Sequence, residues 1–196
     1  MIIETIILSF ILGKLRGGRI RNLGNLYINK WYIFVTSFLI EIISLFIITK
    51  FHGSISSFLE EKFFYIHIFI YLLLIIGLIF NFREKGFKLV LSGSILNFIP
   101  IALNNGKMPV STKALKFSKL YTELTFLEEG RILTHILADK STKLNILSDI
   151  IPIPKPYPFP KIISIGDILI AIGLFVLIQT YMKDNEMETY IGKPFN

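Results

Sequence analysis

The chain has 196 residues, 53% of them hydrophobic and 18% charged, with a mean hydropathy of +0.62, a formal net charge of +7 and no cysteine. The missing cysteines exclude disulfides, thiolate metal sites, iron–sulfur clusters and thiol nucleophiles. The positive charge does not describe a nucleic-acid surface, because the basic residues sit beside apolar blocks and not among soluble aromatics.

Those apolar blocks are longer than a globular core needs. Backbone facing lipid must satisfy its own polar groups, so they read as membrane helices. The first, residues 2–12, is short for a hydrocarbon core of about 30 Å. Snorkelling by Lys14 and Arg16 extends it to a span over 2–15; a half-inserted helix is the alternative. Glu4 within it, and no basic residue before it, set it apart from a cleavable signal peptide. Lys14, Arg16, Arg19, Arg21 and Lys30 follow with no acid among them. The second span, 32–49, opens on the interfacial aromatics Trp31 and Tyr32 and carries Glu41 near its middle. The third, 63–82, has no formal charge, and His67 reads as interfacial. The fourth, 87–103, contains Ser92, Gly93, Ser94, Asn97 and Pro100. The fifth covers 165–182.

The sequence therefore predicts an all-α integral membrane bundle of about five helices, one membrane domain over 1–196. Both basic loops, 14–30 and 83–88, fall on one side of it. That side should be cytoplasmic, with the N-terminus outside and the C-terminal tail (Lys183, Asp184, Glu186, Glu188) inside. The expected location is a bacterial cytoplasmic membrane.

Residues 104–164 form the one long extramembrane segment, placed outside. Ser111 is positioned to cap a helix over 113–120. An amphipathic run over 120–137 follows, broken or bent at Gly130. From Pro152 to Pro160 proline recurs at every second position, which forces an extended strap.

Ser164-Ile-Gly-Asp167 has the spacing of a capping box directly before an apolar run, and an acid there also suits the positive end of the helix. Asn104-Asn-Gly106 is a helix stop. With both at the outer ends of adjacent spans, Asn104, Asn105, Ser164 and Asp167 are candidate ligand-binding residues, joined by His135 and Asp149 from the connecting segment. Asn104, Asp149 and Asp167 are expected to line one outward-facing cavity. His135, Asp149 and Asp167 lack a short metal-ligand spacing, so no metal site is assigned. In the bilayer, Glu41 costs about 2.5–3.5 kcal/mol at helix-centre depth and needs a partner. Asn97, or the carbonyl of Leu96 freed by Pro100, is the expected one.

Three segments together, Asn104-Asn-Gly-Lys-Met-Pro-Val-Ser111, Asp149-Ile-Ile-Pro-Ile-Pro154 and Ser164-Ile-Gly-Asp167, with Gly17-Gly-Arg19 before them, resemble an uncharacterised bacterial multi-pass membrane family, domain-of-unknown-function family 5317. Asn105 and Ser148 stand where that pattern has glycine, and the proline strap is longer. The resemblance implies a multi-pass membrane protein and no activity.

No nucleophile–base pair, phosphate loop or dinucleotide fingerprint is present, and no cofactor is implied. The reading is a binding or accessory membrane protein with a polar outer pocket, its partners being the bilayer and a membrane protein or small ligand on the outer face. The alternatives are a small transporter or ion-conducting protein using Glu41 and Asn97, and an enzyme acting on a lipid or lipid-linked substrate.

Overall fold

The structure, a computed structural model, describes residues 1–183. The expected acidic tail, Asp184, Glu186 and Glu188, lies outside the described residues. The described residues are mostly helical and form no barrel. Its helices are α1 (Ile2–Leu15), α2 (Trp31–Lys50), α3 (Ser54–Glu61), α4 (Phe63–Phe80), α5 (Phe87–Leu103), α6 (Thr112–Phe117), α7 (Tyr121–Glu128) and α8 (Ile165–Lys183). Of these, α2, α4 and α8 are long and apolar enough to cross a membrane. α5 is apolar over 17 residues, and α1 has 14. The third block ends at Phe80, short of Phe82, because the Asn81 side chain donates to the Gly77 carbonyl at 2.8 Å and closes the helix.

The helices are apolar on the outside and small or polar within. α2 buries Ser37 and Ser44 while exposing Phe38, Leu39, Ile42, Ile43 and Phe46. Lipid tails are as apolar as leucine, so close backbone approach, not apolar burial, holds such helices together. The tightest contact is α5 on α8. A Cβ on Gly93 would lie 2.4 Å from the Gly166 carbonyl, and one on Gly86 2.4 Å from that of Gly173. Because 86 meets 173 and 93 meets 166, the two helices run antiparallel. By the same reasoning α2 is antiparallel to α4, since Gly77 abuts Phe34 while Ser37 Oγ donates to the Ile70 carbonyl. α1 runs parallel to α8, with Ser9 O accepting from Gln179 Nε2 at 2.6 Å and Gly13 packed on Met182.

Both basic segments meet at one end of the bundle. Asn29 and Asn81 exchange two hydrogen bonds, at 2.7 and 2.8 Å, and Arg19 N donates to the Met182 carbonyl at 2.8 Å. Residues 104–164 cover the other end, called here the loop end. Ser111 caps α6 by accepting from Ala114 N at 3.3 Å. The amphipathic run over 120–137 is broken at Gly130, as expected: α7 stops at Glu128 and Gly130 takes φ +68°. The chain then becomes a strand, β2 (His135–Leu137), parallel to β1 (Met108–Val110). The proline strap is extended, as its composition requires, and folds back on itself: β3 (Ile151–Ile153) pairs antiparallel with β4 (Lys161–Ile163).

Candidate functional site

The sequence places Asn104, Asn105, Ser164 and Asp167 at a common level, but the two helix ends are offset. Asn97, expected deep in the bilayer beside Glu41, lies against the first turn of α8. Its amide Nδ2 donates to Asp167 Oδ1 at 2.9 Å, and its Oδ1 accepts from Ser164 Oγ at 2.7 Å. The capping box is present in both halves, with Asp167 N donating to Ser164 Oγ at 2.9 Å and Ser164 N to Asp167 Oδ2 at 3.2 Å. The four bonds form a closed ring. They also fix the Asn97 amide, since the carboxylate accepts only from its nitrogen. α5 continues to Leu103, about 9 Å further along its axis. The start of α8 is therefore recessed into the bundle, and β4 leads directly into it.

This offset removes two candidates from the site. Asn104 is one and a half to two turns above Asn97 and spends its side chain locally. Its Nδ2 donates to the carbonyls of Pro100 (2.7 Å) and Lys143 (3.0 Å), and its Oδ1 accepts from Lys143 N at 2.9 Å. Asn105 takes φ +57° as the left-handed residue of the helix stop, with Gly106 N donating back to the Ile101 carbonyl at 2.9 Å. Neither lines the cavity expected to include Asn104.

The cavity itself holds about 150 Å³ and is lined by Glu41, His67, Tyr71, Asn97, Ile101, Met108, Thr134, His135, Asp149 and Asp167. The intramembrane candidates and the loop candidates thus share one space. Glu41 faces it from α2, while Asn97 turns to Asp167 and Ser164 and not to Glu41. His67, read as interfacial from the sequence, is 3% exposed beneath the α5 helix stop, its Nδ1 2.5 Å from the Gly106 carbonyl. A carbonyl only accepts, so His67 Nδ1 carries a proton and donates to it. His67 and Tyr71 are four apart on α4 and present one polar face in an otherwise apolar block. That spacing is the signal which would have marked them.

His135 and Asp149 arrive by strand geometry. Met108 pairs with His135, and Val110 bridges to Asp149 on the other edge of β1. Paired residues share a face, and so do positions two apart, so all four lie on one side. Asp149 is locked by its backbone: its N donates to the Pro109 carbonyl at 3.0 Å, and its carbonyl accepts from Ser111 N at 2.9 Å. Its Oδ2 lies 3.6 Å from His135 Nε2, and its buried Oδ1 has no hydrogen-bond partner. Burial, reinforced by the nearby Asp167 carboxylate, pushes the Asp149 carboxyl up to about 8. Burial and the His67 imidazole hold His135 below its ordinary value, against the pull of Asp167. Near neutral pH the two are a neutral acid beside a neutral imidazole, not an ion pair. Among the described residues no group of three or more His, Asp or Glu side chains is arranged to hold a metal.

The description "Family of unknown function (DUF5317)" belongs to the family model that matches residues 25–179. The chain belongs to this family. A Thermotoga maritima protein described as "Uncharacterized protein" is 34% identical over 106 residues, which is 54% of this chain and 58% of that relative. The chain thus spans just over half of the relative's length. No solved structure matches. Asn105 supplies the left-handed backbone of the helix stop itself, and Ser148 needs none, at φ −79°.

The ring gives one expectation for this family member. Ser164→Ala removes both the cap acceptor and the donor to Asn97. It should cost more than the usual cap loss of about 1 kcal/mol, because Asn97 Oδ1 is left buried without its hydroxyl. Thermal unfolding compared with Ser111→Ala, a cap with no second bond, measures the difference. Equal losses would mean that the ring adds nothing.

Proposed function

We propose that the protein is a multi-pass membrane protein that binds a small cationic solute in this cavity. The observation that carries the reading is the lining: the carboxyls of Glu41 and Asp167, with the neutral acid of Asp149, share it with no lysine or arginine. A carboxyl at bilayer depth is costly unless it meets a partner, and a bound cation is one. Binding is favoured over conduction by the packing beyond the cavity. Towards the basic end the bundle is filled by the buried cluster of Leu78, Phe87, Val90 and Leu177.

Calorimetric titration of the protein in lipid nanodiscs tests this. Methylammonium should bind and acetate should not, with Glu41→Gln weakening methylammonium at least tenfold. Failure of methylammonium and of the alkali cations to bind would reject the proposal.

The proposed topology has α1, α2, α4, α5 and α8 crossing a bacterial cytoplasmic membrane, N-terminus outside. The alternating helix directions support it, and so does the gathering of both basic segments at one end, which positive-inside insertion places in the cytoplasm. Cysteines introduced singly at exposed Lys140 and Asn25 test it cleanly, because the chain has no cysteine of its own. In intact cells an impermeant thiol reagent should label the variant at 140 and spare the one at 25. The reverse pattern would invert the topology.

A further inference from the structure

A second cavity, of about 260 Å³, lies above the first, between β1, α6, α7 and the β3–β4 hairpin. Its walls include Val110, Leu115, Leu120, Leu127, Ile132 and Ile162. His135 and Asp149 line both cavities, so this one pair is the partition between a polar chamber below and an apolar chamber above. Neither chamber alone reaches the roughly 300 Å³ at which small-molecule sites begin, but joined they do. Two charged residues also line the upper chamber, the exposed Glu123 and the half-buried Lys161. Lys161 there is ion-paired with Glu4, which leaves the aliphatic wall without a free cation to repel an ammonium head. On the partition itself, Asp149 is 8% exposed and its Oδ1 is a buried acceptor with no partner.

We propose that the solute is an aliphatic amine. Its ammonium group sits in the lower chamber between Glu41 and Asp167, and its alkyl part passes Asp149 and His135 into the upper chamber. This rests on the cation-binding reading and specifies the ligand class. The ammonium supplies the charge that the lower chamber lacks. The third ammonium N–H, not taken by Glu41 or Asp167, supplies the donor that Asp149 Oδ1 lacks. The alkyl chain is removed from water against the six aliphatic side chains, which a bare metal cation or a proton would leave unused.

The test is a series of primary n-alkylammonium ions, methyl to octyl, titrated into the protein in nanodiscs with empty nanodiscs subtracted. Affinity should rise roughly threefold to fourfold per methylene while the chain enters the upper chamber, then level off once that chamber is full. Ile132→Trp narrows the upper chamber. It should bring the plateau to a shorter chain while leaving methylammonium affinity unchanged. Methylammonium binding with no chain-length dependence would overturn this inference and leave the cation site standing. A rise without plateau, identical in Ile132→Trp, would be partition into lipid and would also overturn it. If methylammonium fails to bind at all, the underlying reading falls with it.

Discussion

Replacing Gly166 by alanine is expected to destabilise the protein by about 2–3 kcal/mol, the upper end of what overpacking does. The added Cβ would stand 2.0 Å from Asn97 Oδ1 and 2.6 Å from the Gly93 carbonyl. The first contact drives the Asn97 amide out of its ring with Ser164 and Asp167. The second is backbone, which cannot rotate away, so α5 and α8 must separate along the contact that holds the bundle. Gly24→Ala is the matched control, since nothing lies within 4 Å of its Cβ position. Thermal unfolding in one detergent should show a large drop for the first variant and almost none for the second. A Gly166→Ala protein that unfolds like wild type would show that the helices are not packed this closely.

The second large effect depends on pH. Asp149 has an ordinary value near 3.8 and is pushed up to about 8 in the fold. Between those values the folded protein holds a proton that the unfolded chain has released. Stability from this group is therefore full below about pH 4 and is lost as pH rises through about 8. Asp149→Asn removes the ionisation. The variant should match wild type at pH 4 and exceed it by roughly 2–5 kcal/mol at pH 9. His135, His67 and Asp167 face the same carboxyl and remain in both proteins, so the comparison isolates Asp149. Melting temperature followed from pH 4 to pH 9 reads this directly. Parallel curves for the two proteins would mean that Asp149 is ionised in the fold at neutral pH.

The apolar helices were legible in the sequence because hydropathy reports them directly, and the Ser164–Asp167 cap because its spacing is local. The depth at which that cap sits was not. Block boundaries give each helix a length, but not its offset against a neighbour, and the recess of α8 depends on Gly93 and Gly166 meeting across 73 residues of chain. That offset decides which asparagine reaches Asp167. Counting from the helix ends points to Asn104, whereas the antiparallel register delivers Asn97. β2 was misread for a different reason. Leu124, Leu127, Leu133 and Leu137 keep a helix-like spacing, while Ile132, Thr134 and Ile136 alternate with the period of a strand. After Gly130 the second pattern prevails, and with it His135 comes to face Asp149.

The place of α8 in the chain has a consequence for biosynthesis. In the proposed topology α5 enters the membrane with Gly93, Ser94 and Asn97 on its inner face, yet the residues they pack against are made last. At elongation rates of about 5–20 residues per second, α5 waits roughly 4–15 s for Gly166 to be synthesised. α1 waits longer, because Ser9 and Gly13 pack on the α8 residues Gln179 and Met182. During that interval the nascent bundle offers a carboxamide and unpaired small-residue faces to lipid or to whatever insertion machinery holds them. Ribosome stalling before residue 165 would leave α1 and the small-residue face of α5 without α8, a species suited to recognition by membrane proteases.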